Sequence, residues 1–266
     1  VARIKVDSVS KSFHSRSQVV PAVKEVSFSV EEGEFVTIIG PSGCGKSTLF
    51  NMIAGLLAPD SGVIRYLDLT PGSAGTARDP PGSVGPDGVS AHVGYMPQKD
   101  LLLPWLRTID NAGLPLELGG FSRREARERT REHLGVFGLE GFELAYPHEL
   151  SGGMRQRAAL LRTVMTGREI LLLDEPFGAL DALTRKSMQA WLLQLVARLG
   201  LTVLFITHDV DEAVYLSDRV IVLSERPGRV VRTIPVELER PRSFHMVESA
   251  AFGHTAATLL SDLGLQ

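Results

Sequence analysis

The sequence predicts an α/β fold: a core around a buried, mostly parallel sheet, an antiparallel β subdomain at the N-terminus, and an inserted α-helical subdomain. Three observations carry this expectation. Phe35-Val36-Thr37-Ile38-Ile39 is a short apolar, β-branched run that leads straight into Gly40-Pro41-Ser42-Gly43-Cys44-Gly45-Lys46-Ser47-Thr48. The run suits a strand buried on both faces, and the glycine-rich stretch fits G-x-x-x-x-G-K-[ST], a loop that closes on phosphate between a strand and a helix. Two further apolar runs, at 170–173 and 201–206, end in Asp174-Glu175 and in Thr207-His208-Asp209. Chemistry at strand C-termini is the habit of open parallel sheets. Residues 99–150 change character and read as charged, capped helix.

The elements follow in order. Val26, Phe28 and Val30 alternate with Ser27 and Ser29, the pattern of a half-buried strand, so 1–33 reads as antiparallel strands and 31–34 as a turn into the phosphate-loop strand. Phe13 ends an earlier strand; an aromatic there either joins the core or stacks on a flat ligand such as a nucleobase. After the loop, Leu49, Met52, Ile53 and Leu56 recur at helical spacing, with Gly55 near the helix end. Gly40, Gly43 and Gly45 let the backbone fold tightly around an anion at a helix N-terminus. Lys46 is expected to reach the β- and γ-phosphates, and the Ser47 hydroxyl to ligate Mg²⁺.

Half of residues 71–88 are Gly or Pro. Such a run has little apolar surface to offset its ordering entropy, so a mobile surface loop without catalytic role is expected between two strands. Ser122-Arg123-Arg124-Glu125 fits a capping box; the helix it opens is expected to run to about Phe137, with Gly138 as C-cap. Its interleaved arginines and glutamates read as a solvated face. In Leu150-Ser151-Gly152-Gly153-Met154-Arg155-Gln156-Arg157, Ser151 is a natural N-cap and 154–164 reads as helix. This second glycine-fronted helix start is a second anion site. One phosphate group hardly needs both sites in one subunit; two subunits sharing it would.

Alternation at the strand end turns Asp174 and Glu175 in different directions, so one can hold Mg²⁺ while the other polarises a water. Met188, Trp191, Leu192, Leu195 and Leu199 mark one helix face, with Gly200 as its stop. His208 stands at a strand end, where a γ-phosphate sensor would be useful. The rest gives a strand at 220–223, the turn Arg226-Pro227-Gly228-Arg229, and a weakly amphipathic tail too short for a second domain. Residues 1–230 are therefore expected to form one domain with its helical part at about 99–150, and 231–266 a tail packed on it.

Composition bounds the function. The chain has 266 residues, 44% of them hydrophobic, and a net charge of −3; its isoelectric point is near 6.2. A sizeable core is possible, and the chain as a whole is not built to sit on nucleic acid. Its apolar runs are far shorter than the ~20 residues of a membrane span, and no secretory leader is visible at the start. The single Cys44 cannot form an internal disulfide, which suits a reducing cytoplasm, and is read as a small filler. No internal repeat and no Cys/His metal-ligand spacing occurs.

Together these motifs resemble the nucleotide-binding subunit of an ATP-binding-cassette transporter over nearly the whole chain, with its P-loop NTPase core. In family terms 40–47 is the Walker A loop and Gln98 in Tyr95-Met96-Pro97-Gln98 is the Q-loop glutamine. The run at 150–156 resembles the signature motif, 170–175 Walker B, Ala179-Leu180-Asp181 the D-loop, and His208 the switch histidine. The Leu-Ser-Gly-Gly run separates this family from kinases and GTPases. The resemblance implies that Phe13 stacks on adenine, where the family often has Tyr, and that Gly40, Pro41, Ser42, Gly43, Cys44, Gly45, Lys46, Ser47 and Thr48 hold the phosphates of ATP. It implies Ser47, Gln98 and Asp174 around Mg²⁺, Glu175 as general base, Gln98 and His208 as its catalytic partners, and Asp181 in the D-loop. Ser151, Gly152, Gly153 and Gln156 would act in trans on the ATP of a second copy.

Leu102-Leu103-Pro104-Trp105, Arg226-Pro227-Gly228-Arg229-Val230 and Glu239-Arg240-Pro241-Arg242 are similar to the nitrate/sulfonate/taurine importer branch, from which the 71–88 run departs by its length. The expected role is the ATP-hydrolysing subunit of an importer, a head-to-tail homodimer coupling ATP turnover to uptake of a small anion. It would sit peripherally on the cytoplasmic face of the membrane, on transmembrane permease subunits served by a solute-binding protein. The alternative, a soluble non-transport ATPase acting on a macromolecular complex, is disfavoured by the single cassette and the acidic isoelectric point. A kinase would need an acceptor site that is not seen, and a non-hydrolytic scaffold would not need Glu175 and His208.

Overall fold

A computed structural model describes residues 2–14, 18–66 and 92–265. In chain order the elements are β1 (Ala2–His14), β2 (Val19–Glu31), β3 (Phe35–Ile39), α1 (Lys46–Ile53), β4 (Ser61–Tyr66), β5 (Val93–Met96), α2 (Thr108–Leu118), α3 (Arg123–Leu134), α4 (Gly152–Val164), β6 (Ile170–Asp174), α5 (Ala182–Leu199), β7 (Thr202–Ile206), α6 (Val210–Leu216), β8 (Arg219–Leu223), β9 (Val230–Pro235) and α7 (Ala250–Asp262). The stretch 71–88 lies outside the described residues.

The expected α/β division is present. β2, β1 and β4 form an antiparallel sheet, and the main sheet runs β5-β6-β7-β3-β8-β9. All its pairings are parallel except that of β9, which returns antiparallel along β8. Every residue of β3, β6 and β7 is buried, as strands covered on both faces require. Strand alternation divides them between two cores. Phe35, Ile39, Leu171, Leu173, Val203 and Phe205 face a cluster that includes residues of α4, α5 and α6. Val36, Ile38, Ile170, Leu172, Leu204 and Ile206 face α1 and the antiparallel sheet.

The helical insert is tied to the core by polar bonds. Ser122 and Glu125 form the expected capping box at the start of α3. Buried Asn111 uses its amide to hold the segment before α2, accepting from Leu103 N–H at 2.7 Å and donating to the Leu103 and Leu106 carbonyls. Arg162 of α4 donates to the Leu101 and Asp100 carbonyls. The stretch after Gln98 is thereby fixed between α2 and α4, leaving Trp105 70% exposed.

Three local expectations need correction. α3 ends at Leu134, not near Phe137: the chain turns at Gly135, and Gly138 sits left-handed at φ +62°. The turn brings Phe137 edge-on to Trp191, with centroids 5.6 Å apart. Leu56 lies beyond α1 and is exposed, while Phe50 fills the core on that helix. The α3 face is not purely solvated. Arg123 and Arg127 pair with buried Asp110 of α2 at 2.9 and 2.7 Å, and these guanidiniums hold its carboxyl at about 2.

Candidate functional site

The phosphate loop joins β3 to α1, and its shape is forced by neighbours as much as by any ligand. A Cβ on Gly45, at φ +109°, would come 2.6 Å from the Ala22 carbonyl oxygen, and one on Gly40 2.9 Å from Cys44 Sγ and 3.0 Å from the Leu223 carbonyl oxygen. Gly43 is left-handed at φ +75°. The first turn of α1 carries no acid and has no side-chain cap on its amides, which leaves the helix N-terminus open to an anion. Lys46 is buried, its ammonium donating to the Gly40 and Pro41 carbonyls at 2.8 and 3.0 Å. Burial pushes the Cys44 thiol up despite nearby Lys46, as befits a filler and not a reactive thiolate. Ser42, Gly43 and Ser47 are exposed, and Thr48 and Pro41 half-buried.

Strands β5, β6 and β7 bring the other polar groups to the same sheet edge. Asp174 ends β6 and is 4% exposed. Burial raises its pKa, opposed by a hydrogen bond from Ser47 and by the charge of Lys46. The Tyr95 hydroxyl of β5 stands 3.5 Å from Asp174 Oδ2. The next residue, Glu175, turns out of the strand in a left-handed conformation at φ +46°. Its Oε2 accepts from Gln98 Nε2 at 3.1 Å and lies 3.3 Å from His208 Nδ1. Lys46, Ser47, Asp174, Glu175, Gln98 and His208 are thus gathered from the ends of four adjacent strands. An ionised carboxylate fed by an amide and an imidazole can orient a water, and the amide-lined lysine loop beside it can hold phosphates.

The remaining residues lie elsewhere. Phe13 is 46% exposed near the end of β1, opposite Val20 of β2. Ser151 is exposed and caps α4, accepting from Met154 N–H at 3.3 Å. Among the described residues no hydrogen bond or ion pair joins Ser151, Gly152 or Gly153 to the phosphate loop. Both glycines have a packing reason of their own: added Cβ atoms would meet Leu180 at 3.3 Å and Thr184 at 3.1 Å. Gln156 faces inward, 6% exposed, beside a small apolar cavity bordered by Met96, Phe177 and Met188, and its Oε1 has no hydrogen-bond partner. That is the opposite of presentation to a second copy. Asp181 caps α5 by accepting from Leu183 and Thr184 N–H.

Sequence reasoning gave no role to Tyr95 or Arg226. Arg226 donates from Nε to the Gly43 carbonyl at 3.0 Å, pinning the β8–β9 turn to the phosphate loop. In the sequence Tyr95 stood only as the first residue of Tyr95-Met96-Pro97-Gln98.

No described helix is long and apolar enough to cross a membrane. The ABC transporter family model matches residues 23–178. An uncharacterised ABC transporter ATP-binding protein of Methanocaldococcus jannaschii is 42% identical over 98% of this chain and 92% of its own. The taurine import ATP-binding protein TauB of Rhizobium johnstonii is 45% identical over 89% of this chain and 85% of its own. The dimeric structure of a bacterial ABC transporter cassette superposes with a TM-score of 0.72 at 32% identity, covering 89% of this chain and all of that one. With this fold, this phosphate loop and these relatives, the chain belongs to the ABC transporter family as an ATP-binding, ATP-hydrolysing subunit.

Proposed function

We propose that this chain is the ATPase of an ABC importer, working as a head-to-tail homodimer on permease subunits at the cytoplasmic face of the membrane. The solute is a small anion of the nitrate, sulfonate or taurine kind, delivered by a separate binding protein. Residues 1–230, with the rest of β9 to Pro235, are the cassette, and the remainder is its packed tail. The observation that carries the chemistry is the shared contact of Glu175 Oε2 with Gln98 and His208 beside the Lys46 loop. The solute class rests on relatives named for taurine and aliphatic sulfonate import; a relative named for formylaminopyrimidine import carries a different solute.

In this reading Lys46 leaves the Gly40 and Pro41 carbonyls for the β- and γ-phosphates, and the α1 amides take the phosphate oxygens. Phe13 stacks on adenine. Ser47 and Asp174 offer hard oxygen donors at one sheet edge, Asp174 buried at the end of β6 beside the phosphate loop. These donors fit Mg²⁺, which is held by one or two carboxylates together with substrate phosphates, and Gln98 completes the set. When bound, the ion neutralises charge on the phosphates. Glu175 orients and deprotonates the water, and His208 steadies Glu175 and reaches the γ-phosphate. Ser151, Gly152 and Gly153 of the second copy close the site, with Asp181 of the D-loop at the junction. Gln156 is better suited to the joint between α4 and the core.

The test is ATP hydrolysis in vesicles holding this chain with its co-encoded permease and binding protein. Taurine, an aliphatic sulfonate or nitrate should stimulate hydrolysis, and His208→Ala should remove it. Full activity without the membrane subunits, indifferent to all three solutes, would favour the non-transport alternative.

A further inference from the structure

One buried carboxylate is not used by the reaction just described. Glu212 of α6 is 5% exposed and has no ion pair among the described residues. Burial raises its pKa, opposed by hydrogen bonds from Thr207 and Gln189. A carboxylate so placed is expensive unless its lone pairs are filled by fixed donors.

They are filled in a closed pattern. Glu212 Oε1 accepts from Gln189 Nε2 of α5 at 3.0 Å, and Oε2 accepts from the Thr207 hydroxyl. With its proton committed there, Thr207 Oγ1 accepts from Asp209 N–H at 3.0 Å. Asp209 Oδ1 then accepts from Glu212 N–H at 3.0 Å and closes the ring. Arg185 Nη1 stands 3.7 Å from the free oxygen of Asp209. Of residues 207–209, His208 alone keeps its side chain out of the ring. It is 65% exposed on the side chain, with Nδ1 3.3 Å from Glu175 Oε2. The two backbone N–H groups can only donate, so Thr207 Oγ1 spends its acceptor capacity on Asp209 and turns its own proton to Glu212 Oε2, which ties the 207–209 turn to α6 and, through Gln189, to α5.

We propose that Glu212 is a positioning residue for ATP hydrolysis: by accepting from Thr207 and Gln189 it locks the 207–209 turn in the hydrogen-bond arrangement that holds His208 against Glu175. The inference rests on the reading of Glu175 and His208 as the hydrolytic pair. Among the described residues no hydrogen bond of the ring reaches the phosphate loop or Phe13, and the γ-phosphate is only one of the groups by which ATP is held, so loss of the ring should fall on turnover far more than on nucleotide affinity.

The test compares Glu212→Gln, Glu212→Met, Thr207→Val, the double variant Glu212→Met/Thr207→Val and His208→Ala in the full chain. Gln can still accept from Thr207 while a flipped Gln189 amide accepts from it; Met fills the space without an acceptor. Expected for Glu212→Met is a fall in kcat of about ten- to a hundredfold, as for a misplaced catalytic group, with ATP affinity by calorimetry little changed. Glu212→Gln should recover most of the activity. Thr207→Val should match Glu212→Met, and the double variant should be no worse than either, because both break one ring. The His208 imidazole resonance, assigned by its absence in His208→Ala, should shift in Glu212→Met and Thr207→Val and hold in Glu212→Gln. If Glu212→Met does not fold, Thr207→Val, which exchanges a hydroxyl for a methyl, carries the same expectation. Near-normal turnover in Glu212→Met or Thr207→Val while His208→Ala is inactive would overturn the inference and leave the hydrolytic pair standing. Equal loss in Glu212→Gln and Glu212→Met would overturn it too. Full activity in His208→Ala would instead overturn the pair, and the inference with it.

Discussion

Glu175 receives Gln98 and His208 on a single oxygen, Oε2. Replacing it with Gln keeps the volume and much of the hydrogen bonding but removes the base. Hydrolysis should fall by about 10²–10⁴-fold, the usual worth of general base catalysis, while ATP binding measured by calorimetry survives. Lys46→Ala should do the reverse and abolish binding, because the ammonium now on the Gly40 and Pro41 carbonyls is the loop's own cation. The convergence of the phosphate loop, Asp174, Glu175 and His208 was legible because each follows an apolar run of strand length. Gln156 stands five residues past the Ser151 cap, about 140° around a helix turning 100° per residue, and is buried, a placement that the linear motif does not display. Glu212 and Tyr95 were not legible, since burial and side-chain partners on other elements, Gln189 for the one and Asp174 for the other, do not show in a linear pattern.

Among elements, the α2–α3 pair depends on Asp110 receiving both Arg123 and Arg127. Those partners hold the folded-state pKa at about 2, below an unfolded value near 3.9. The pair therefore contributes its stability above pH 4 and loses it as pH falls through 2. Asp110→Asn should lower stability by about 2 kcal/mol at neutral pH, and chemical denaturation should show this deficit closing between about pH 4 and 2. At the other end of the core, Arg242 donates to the Val214, Tyr215 and Ser217 carbonyls, and Arg240 to Leu216 O and Asp218. The tail thus satisfies the C-terminal carbonyls of α6, the helix that follows His208. Arg242→Met should destabilise by about 2 kcal/mol, read as a lower melting temperature, since it leaves buried acceptors without a charged donor. Caps such as Ser122 with Glu125 were legible from local spacing. The arginine pairs were not, because Asp110 lies 13 and 17 residues from its partners and on another helix.

At the scale of the whole molecule, the exposed Ser151 helix start and the open phosphate loop do not meet within one chain. A second copy can bring them together. A Glu175→Gln protein with ATP and Mg²⁺ should elute as a dimer by light scattering, and adding Ser151→Arg should return it to monomer by filling the shared phosphate site. A monomer in the first case, with binding verified, would count against the shared site for the isolated chain. The layers of the fold were readable from apolar runs of strand length. The strand order was not: β3 lies between β7 and β8, with Phe35 beside Val203 and Val36 beside Arg219, and periodicity within a run carries no information on which distant run it joins.

The left-handed backbone of Glu175 has a consequence for how such a chain can change over time. An L-residue with a Cβ is disfavoured there by about 1 kcal/mol relative to glycine, so the fold by itself would be firmer with glycine at this position. Selection for folding and selection for turnover therefore pull against each other at one residue. A copy released from the need to turn over would be expected to lose this glutamate early and gain thermal stability as it did so.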